Sequence, residues 1–445
     1  MTSYWINQTP DSGPLPEVAR GDGVYLYDKS GKQYIDGSSG PALFSLGHSH
    51  PDVLAAVRKQ FDTLEYGFSM DFSSDVVEAL SERIIRRAGA HFAGVFYVSS
   101  GSEATESSLK AALQYHVANG QPSRTRFISR RFSWHGATIG ALTVSGNMNR
   151  RRLFAHAVPE GIFVSPAHPY RPPEGIRPDE ITAYCARELE QAILQHGPEK
   201  IAGFIFEPVV GGSLGVSPAP EGYAKAMRAV CDKYGVLMIA DEVMCGVGRC
   251  GTWRALEHDG VQADIMQIAK GLSGGYMPLG AVLLSGPVLD RIRSAHGNLE
   301  SARTYSGHTA ACAAALAVLD VIDRDALVEK VASDGAYLSA SLNEALGQIE
   351  EVGDVRGRGF FWGVEYVRER ESKTPFPAEA LLHRKLKARC IENGLLVYPG
   401  GGIADGRRGD YAIVAPPFIA SRGQIDEIVD KLARSSRQAL ADLRQ

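Results

Sequence analysis

Ile265-Met266-Gln267-Ile268-Ala269-Lys270 reads as a short buried strand ending in a lysine, and Gly271-Leu272-Ser273-Gly274-Gly275 follows as a flexible turn. A lone lysine capping an apolar strand is poorly solvated, so its amine loses its proton more easily. A neutral amine is the nucleophile that makes a Schiff base with an aldehyde. Upstream, Val236-Leu237-Met238-Ile239-Ala240 is a second apolar strand, and it ends in Asp241. Alone, the lysine would be a surface charge and the aspartate a helix cap. Both sit at strand ends, so the rest of the chain decides between these readings.

Short β-rich runs alternate with helix-like stretches from about residue 70 to 325: 94–99, 126–129, 161–164, 202–206, 236–241, 264–269 and 280–284. Several are apolar throughout and do not alternate, which marks strands covered on both faces. Seven such runs separated by helical segments predict an α/β fold, a mostly parallel sheet flanked by helices. Ligands in such folds gather at the C-terminal ends of strands, where Asp241 and Lys270 lie. Residues 23–36 read as a β-hairpin turning at Lys29–Gly31. Beyond 326 come helices (326–346, 379–393) and short strands (359–366, 411–414). The division expected is a large domain over 66–325 and a small α+β domain built from 1–65 and 326–445.

At 445 residues the chain is long enough for two or three domains around a large core. Its net charge of -4, with no long run of one sign, argues against nucleic-acid or membrane-surface partners, which want a basic face. No apolar run approaches bilayer-spanning length. The start, Met1–Gln8, lacks a basic segment and an apolar core, and predicts no export signal. Six scattered cysteines without a C-x-x-C pair fit free thiols in a reducing cytoplasm. His48-Ser49-His50 lacks a nearby carboxylate or cysteine and reads as a turn before a helix opened by Pro51. No metal site is expected.

Ser99-Ser100-Gly101-Ser102-Glu103-Ala104 follows a strand and opens a helix. Such a junction offers free backbone N–H groups to a phosphate, and it equally suits an ordinary N-cap at Ser100 or Ser102. Phe132-Ser133-Trp134-His135-Gly136 places an indole at a strand end, where it can stack on a flat ring or fill the core. Gly246-Val247-Gly248-Arg249-Cys250-Gly251 matches the G-x-G-x-x-G pattern of a nucleotide-binding dehydrogenase. It neither follows its strand directly nor opens a helix, so that reading is rejected. Thr304 is placed to give a hydroxyl to an anion. Lys270 and Asp241 on neighbouring strand ends together suggest a pyridoxal phosphate site. There the lysine would take the aldehyde and the aspartate the pyridinium nitrogen.

In order, these pieces resemble the class III pyridoxal-phosphate aminotransferases (the ω-aminotransferase family, fold type I). The resemblance covers nearly the whole chain: G-S-E-A at 101–104, W-H-G at 134–136, Ile205-Phe206-Glu207-Pro208, D-E-V at 241–243, G-V-G-R at 246–249, A-K-G at 269–271, T-Y-S-G-H at 304–308 and A-P-P at 415–417. It implies that Lys270 binds the cofactor and shuttles a proton, and that Asp241 keeps the ring nitrogen protonated. Val243 would lie under the ring and Trp134 over it, with His135 and Glu207 also at the cofactor. Gly101 and Ser102 would hold the phosphate. Thr304 would reach the phosphate of a neighbouring subunit, making a homodimer necessary.

Two positions depart from the family pattern. Met244 stands where many members carry a glutamine after D-E-V. Ile413 stands where relatives using α-carboxylates carry an arginine, and isoleucine cannot clamp a carboxylate. Glu207, deprived of that arginine, must find another partner or lie exposed. Arg249, Arg407 and Arg408 are the candidate substitutes. The expected activity is transfer of an amino group from a primary amine or ω-amino acid to a 2-oxo acid in a ping-pong cycle. Pyruvate is favoured over 2-oxoglutarate; an aminomutase or racemase on the same scaffold is the alternative.

Overall fold

The computed structural model describes residues 15–444, so the Met1–Gln8 stretch lies outside the described residues. Seven strands form the central sheet. In spatial order they are Phe92–Val98, Gly280–Ser285, Ile265–Ile268, Leu237–Asp241, Ile201–Phe206, Arg126–Arg130 and Ile162–Val164. Gly280–Ser285 runs antiparallel to both its neighbours, and the other paired strands are parallel. The sheet is therefore mostly parallel, within an α/β architecture.

Period-two alternation splits each central strand between two cores. Leu237, Ile239, Ile265 and Val282 pack with Ala104, Leu109 and Ala112 of helix Gly101–Ala118 and with Val288 and Ile292 of helix Gly286–His296. Met238, Ala240, Met266 and Leu283 face the opposite side with helices Asp75–Ala88, Ile181–His196, Tyr223–Tyr234 and Thr309–Arg324. Both faces are thus apolar, which is why these runs show no polar alternation. Each fully buried aliphatic side chain contributes about 1.5–3 kcal/mol.

Two smaller sheets flank this body. Val18–Asp22, Tyr25–Asp28 and Gln33–Asp36 form a meander, and Leu395–Leu396 adds to it in parallel, so segments from both ends of the chain share one sheet. The hairpin turn is pinned by the Asp28 carboxylate, which accepts from the Ser30 and Lys32 N–H groups at 2.9 and 3.0 Å. The second sheet orders Val352–Arg358, Phe361–Tyr366, Asp410–Val414 and Tyr398–Gly400, antiparallel throughout. Helices Leu327–Gly347, Leu382–Glu392 and Arg422–Ala441 cover these sheets. No helix among the described residues is long and apolar enough to cross a membrane.

One contact locks the second sheet to the loop that follows Glu207. A Cβ on Gly363 would lie 1.7 Å from the Gly215 carbonyl oxygen, so glycine is required for the close approach. Gly363→Ala is therefore expected to destabilise the protein by about 3 kcal/mol through forced backbone displacement, read from the midpoint of denaturant unfolding. An unchanged midpoint would show the loop free to move away.

Candidate active site

Strand register brings the two sequence-selected charges together. Leu237–Asp241 pairs with Ile265–Ile268 so that Asp241 lies beside Gln267, and Lys270 follows three residues later. Both line a cavity of about 460 Å³ at the C-terminal ends of the strands, as open α/β sheets arrange their ligands. Lys270 turns the chain out of its strand with φ of 45°, in the left-handed region that side chains seldom occupy, and starts a single 3₁₀ turn, Lys270–Leu272. Burial pushes its amine pKa below the ordinary lysine value, while Asp241 and Glu207 oppose the shift and Arg150 adds to it.

Asp241 is held on both oxygens. His135 Nδ1 lies 2.7 Å from Oδ2, and the Val243 N–H donates to Oδ1 at 3.0 Å. With Nδ1–H donating, the histidine fixes the carboxylate's orientation. The histidine is fixed in turn. Its backbone N–H donates to Ser145 Oγ at 2.9 Å, and its carbonyl accepts from Thr105 Oγ1 at 2.5 Å. Thr105 accepts from Gln267 Nε2 at 2.8 Å, and Gln267 is the strand neighbour of Asp241. This buried loop of bonds closes on itself and makes the site rigid.

The opposite end of the cavity is built for an anion. Ser100 caps helix Gly101–Ala118, its Oγ accepting from Glu103 N–H at 3.2 Å, and Glu103 accepts from Ser99 N–H at 2.8 Å. Gly101 and Ser102 of the first turn line the cavity. Ser102 Oγ accepts from Ala137 N–H at 3.0 Å, which leaves its own proton to donate. A Cβ on Gly101 would meet Val243 Cγ1 at 3.0 Å, so the helix start and the residue after Asp241–Glu242 close on one another. Amine, carboxylate and helix N-terminus around one cavity fit a flat ring that carries an aldehyde, a basic nitrogen and a phosphate.

The remaining sequence candidates divide. Trp134, His135, Glu207, Val243 and Met244 all line the cavity. Glu207 does find another partner. Its buried carboxylate accepts from Trp134 N–H at 3.0 Å and Gly211 N–H at 3.1 Å, and burial pushes its pKa up. Thr304 is not brought to the cavity of its own chain. It sits on an exposed turn, where its carbonyl accepts from the Tyr66 hydroxyl at 2.5 Å.

Arg249 is corrected as a carboxylate clamp. Its guanidinium is buried, donates to the carbonyls of Phe360 at 3.2 Å and Pro416 at 2.5 Å, and lies over Phe418, so it staples the core. Arg407 and Arg408 sit on the exposed loop around Asp405, which pairs with Arg408, and neither lines the cavity. The glycine run 246–251 forms turns and no helix, in keeping with its rejection as a nucleotide site. Glu242 of D-E-V is structural: buried, it accepts from Ala255 and Leu256 N–H at 2.6 and 3.1 Å, with its pKa raised to about 7 by burial.

Residues 8–435 match the family described as "Aminotransferase class-III". An uncharacterised aminotransferase of Schizosaccharomyces pombe is 40% identical over 448 residues, covering 99% of this chain and 96% of that protein. The ω-transaminase of Pseudomonas jessenii in complex with PMP superposes with a TM-score of 0.92 at 33% identity, covering 100% of this chain and 97% of the other. A thermostable (S)-enantioselective ω-transaminase from Thermomicrobium roseum gives 0.91 at 34%, covering 100% and 97%.

The lowered Lys270 pKa has a direct readout in protein stripped of small molecules. An acylating reagent that attacks only neutral amines should label Lys270 along a pH curve displaced below those of exposed lysines, followed by peptide mass spectrometry. A curve coinciding with theirs would show that burial does not perturb the amine.

Proposed function

The chain belongs to the class III aminotransferases, enzymes that use pyridoxal phosphate, and we propose that it carries an amino group from a primary amine or ω-amino acid to a 2-oxo acid in a ping-pong cycle. The observation carrying this is the shared cavity of the Lys270 amine, the Asp241 carboxylate and the start of helix Gly101–Ala118. Lys270, Asp241, Gly101 and Ser102 would hold the cofactor, with Val243 and Trp134 against its ring and His135 and Glu207 supporting that shell. When bound, the cofactor supplies an electron sink for the carbon that loses its proton.

The protein's own residues do the rest. Lys270 Nζ, left neutral at lower pH than a solvated lysine by burial, would take up the proton from the substrate's amine-bearing carbon and hold it for return. Asp241, oriented by His135 and Val243, would pair with the cofactor's ring nitrogen and favour its protonated form. Ser102 Oγ and the first-turn N–H groups anchor the anionic end. Glu207 is tied by two backbone donors and so helps shape the wall.

Pyruvate is the favoured acceptor, with 2-oxoglutarate possible, because Ile413 removes one planar cation that a dicarboxylate would use. The relatives named above are transaminases by name, which favours group transfer over an aminomutase or racemase. A homodimer completes the site in this reading, with Thr304 contributed across the interface. Support comes from the exposed apolar side chains Phe61, Leu64, Phe68, Met70, Phe72 and Tyr305 near Thr304's turn, a surface suited to a second copy. Domains at 66–325 and at 1–65 with 326–445, and a cytoplasmic setting, complete the proposal. Six unpaired buried cysteines agree with the latter.

Incubating the cofactor-loaded protein with alanine should convert the cofactor's absorbance to that of the aminated form and release pyruvate stoichiometrically. No conversion with alanine or any amine in a panel would defeat the reading. Lys270→Ala should abolish turnover, and Asp241→Asn should lower kcat by about 100-fold or more, since a neutral amide stabilises a cationic ring poorly. Near wild-type turnover in either variant would misplace these roles.

A further inference from the structure

Ile413 stands where an arginine was expected, and the fold sets another arginine, the exposed Arg150, against Trp134 of the cavity wall. Ile413 is fully buried in an apolar cluster that Met244 and Tyr398 pack against. Tyr398 is its direct partner across antiparallel strands. Such partners project from the same face, about 5 Å apart at Cβ. The Tyr398 hydroxyl accepts a hydrogen bond from Arg150 Nη2 at 3.3 Å. The Arg150 guanidinium also stacks on the Trp134 ring, 4.3 Å from its centroid, and Trp134 lines the cavity.

The segment bearing Arg150, the short helix Met148–Arg151, is tied down on both sides. Asn147 Nδ2 donates to Ser213 Oγ at 3.2 Å, and Asn149 Nδ2 donates to the Gly406 carbonyl. Among the described residues no carboxylate pairs with Arg150, whereas Arg408 is engaged by Asp405. A stacked, pre-oriented guanidinium with an unfilled donor edge is what bidentate carboxylate recognition requires. Its positive field also reaches Lys270, in keeping with its position by the cavity.

We propose that Arg150, held between Trp134 and Tyr398, is the residue that binds the substrate carboxylate, in place of the arginine absent at 413. The assignment rests on the transaminase reading above and deepens it. One clamp of this kind suits the single carboxylate of a small 2-oxo acid, and it leaves an acceptor without a carboxylate ungripped.

The test compares pyruvate with propanal as acceptors for one amine donor, using cofactor-loaded wild type, Arg150→Met and Arg150→Lys. In Arg150→Met the ratio of kcat/KM for pyruvate to that for propanal should fall by about 10- to 100-fold, the worth of a charged hydrogen-bond pair, mainly through KM. Arg150→Lys should recover part of the ratio, because it restores charge without the planar fork. Calorimetric titration with propanoate, which cannot react, should show a weakening of similar size in Arg150→Met, with binding of uncharged propanamide as the control. A ratio and a propanoate affinity both within about twofold of wild type would overturn the assignment. Should wild type use neither acceptor, the preference for pyruvate fails, and the propanoate titration alone decides the role of Arg150.

Discussion

A lysine amine and an aspartate carboxylate, set at the ends of adjacent parallel strands and lining one cavity, are the arrangement on which the rest of this molecule depends. Burial disfavours the charged form of the amine, and the facing carboxylate favours it. The balance lies on the side of desolvation, so the amine is more basic in name than in practice: it gives up its proton at lower pH than a solvated lysine. An unpaired charge in such a place would be costly, and the structure answers the cost for Asp241 with two dedicated donors.

Precision at the pair comes from the layer behind it. The bonds running from Asp241 through His135 and Thr105 to Gln267 return to the strand beside Asp241, so movement of one member disturbs all. Glu207 plays a comparable part on another wall, its burial tolerated because two backbone N–H groups meet its oxygens. Glu242 anchors the loop leaving the same strand in the same manner. Glu207 and Glu242, acidic residues that look catalytic by composition, thus act here as fasteners for the backbone.

Much of this was legible in the sequence because both-face burial leaves a plain mark. All seven central strands stand out as β-rich runs, several of them apolar throughout, with ends within about two residues of the observed ones. Direction does not leave such a mark: Gly280–Ser285 is reversed, yet its residues are as buried as those of its parallel neighbours, so composition cannot reveal it. Lys270 and Asp241 were readable because a charge at the end of an apolar strand is anomalous. The union of Leu395–Leu396 with the N-terminal meander depends on pairing across the whole chain and follows no local signal.

Arginines show the same limit. Arg249, singled out by its glycine-rich loop, lies in the core on carbonyl oxygens, while Arg150, which no motif marks, stands over the indole at the cavity. Its environment is assembled from Trp134 and Tyr398, far apart in sequence, and only the folded register joins them. Thr304 illustrates the converse: its sequence motif is plain, but within one chain it stays on an exposed turn. The most direct measurement of the central claim is reduction of the cofactor-loaded protein with borohydride, followed by digestion and mass mapping. The account predicts a pyridoxyl adduct on the peptide containing Lys270 and on no other lysine; a reduced protein carrying no adduct, or carrying it elsewhere, would contradict it.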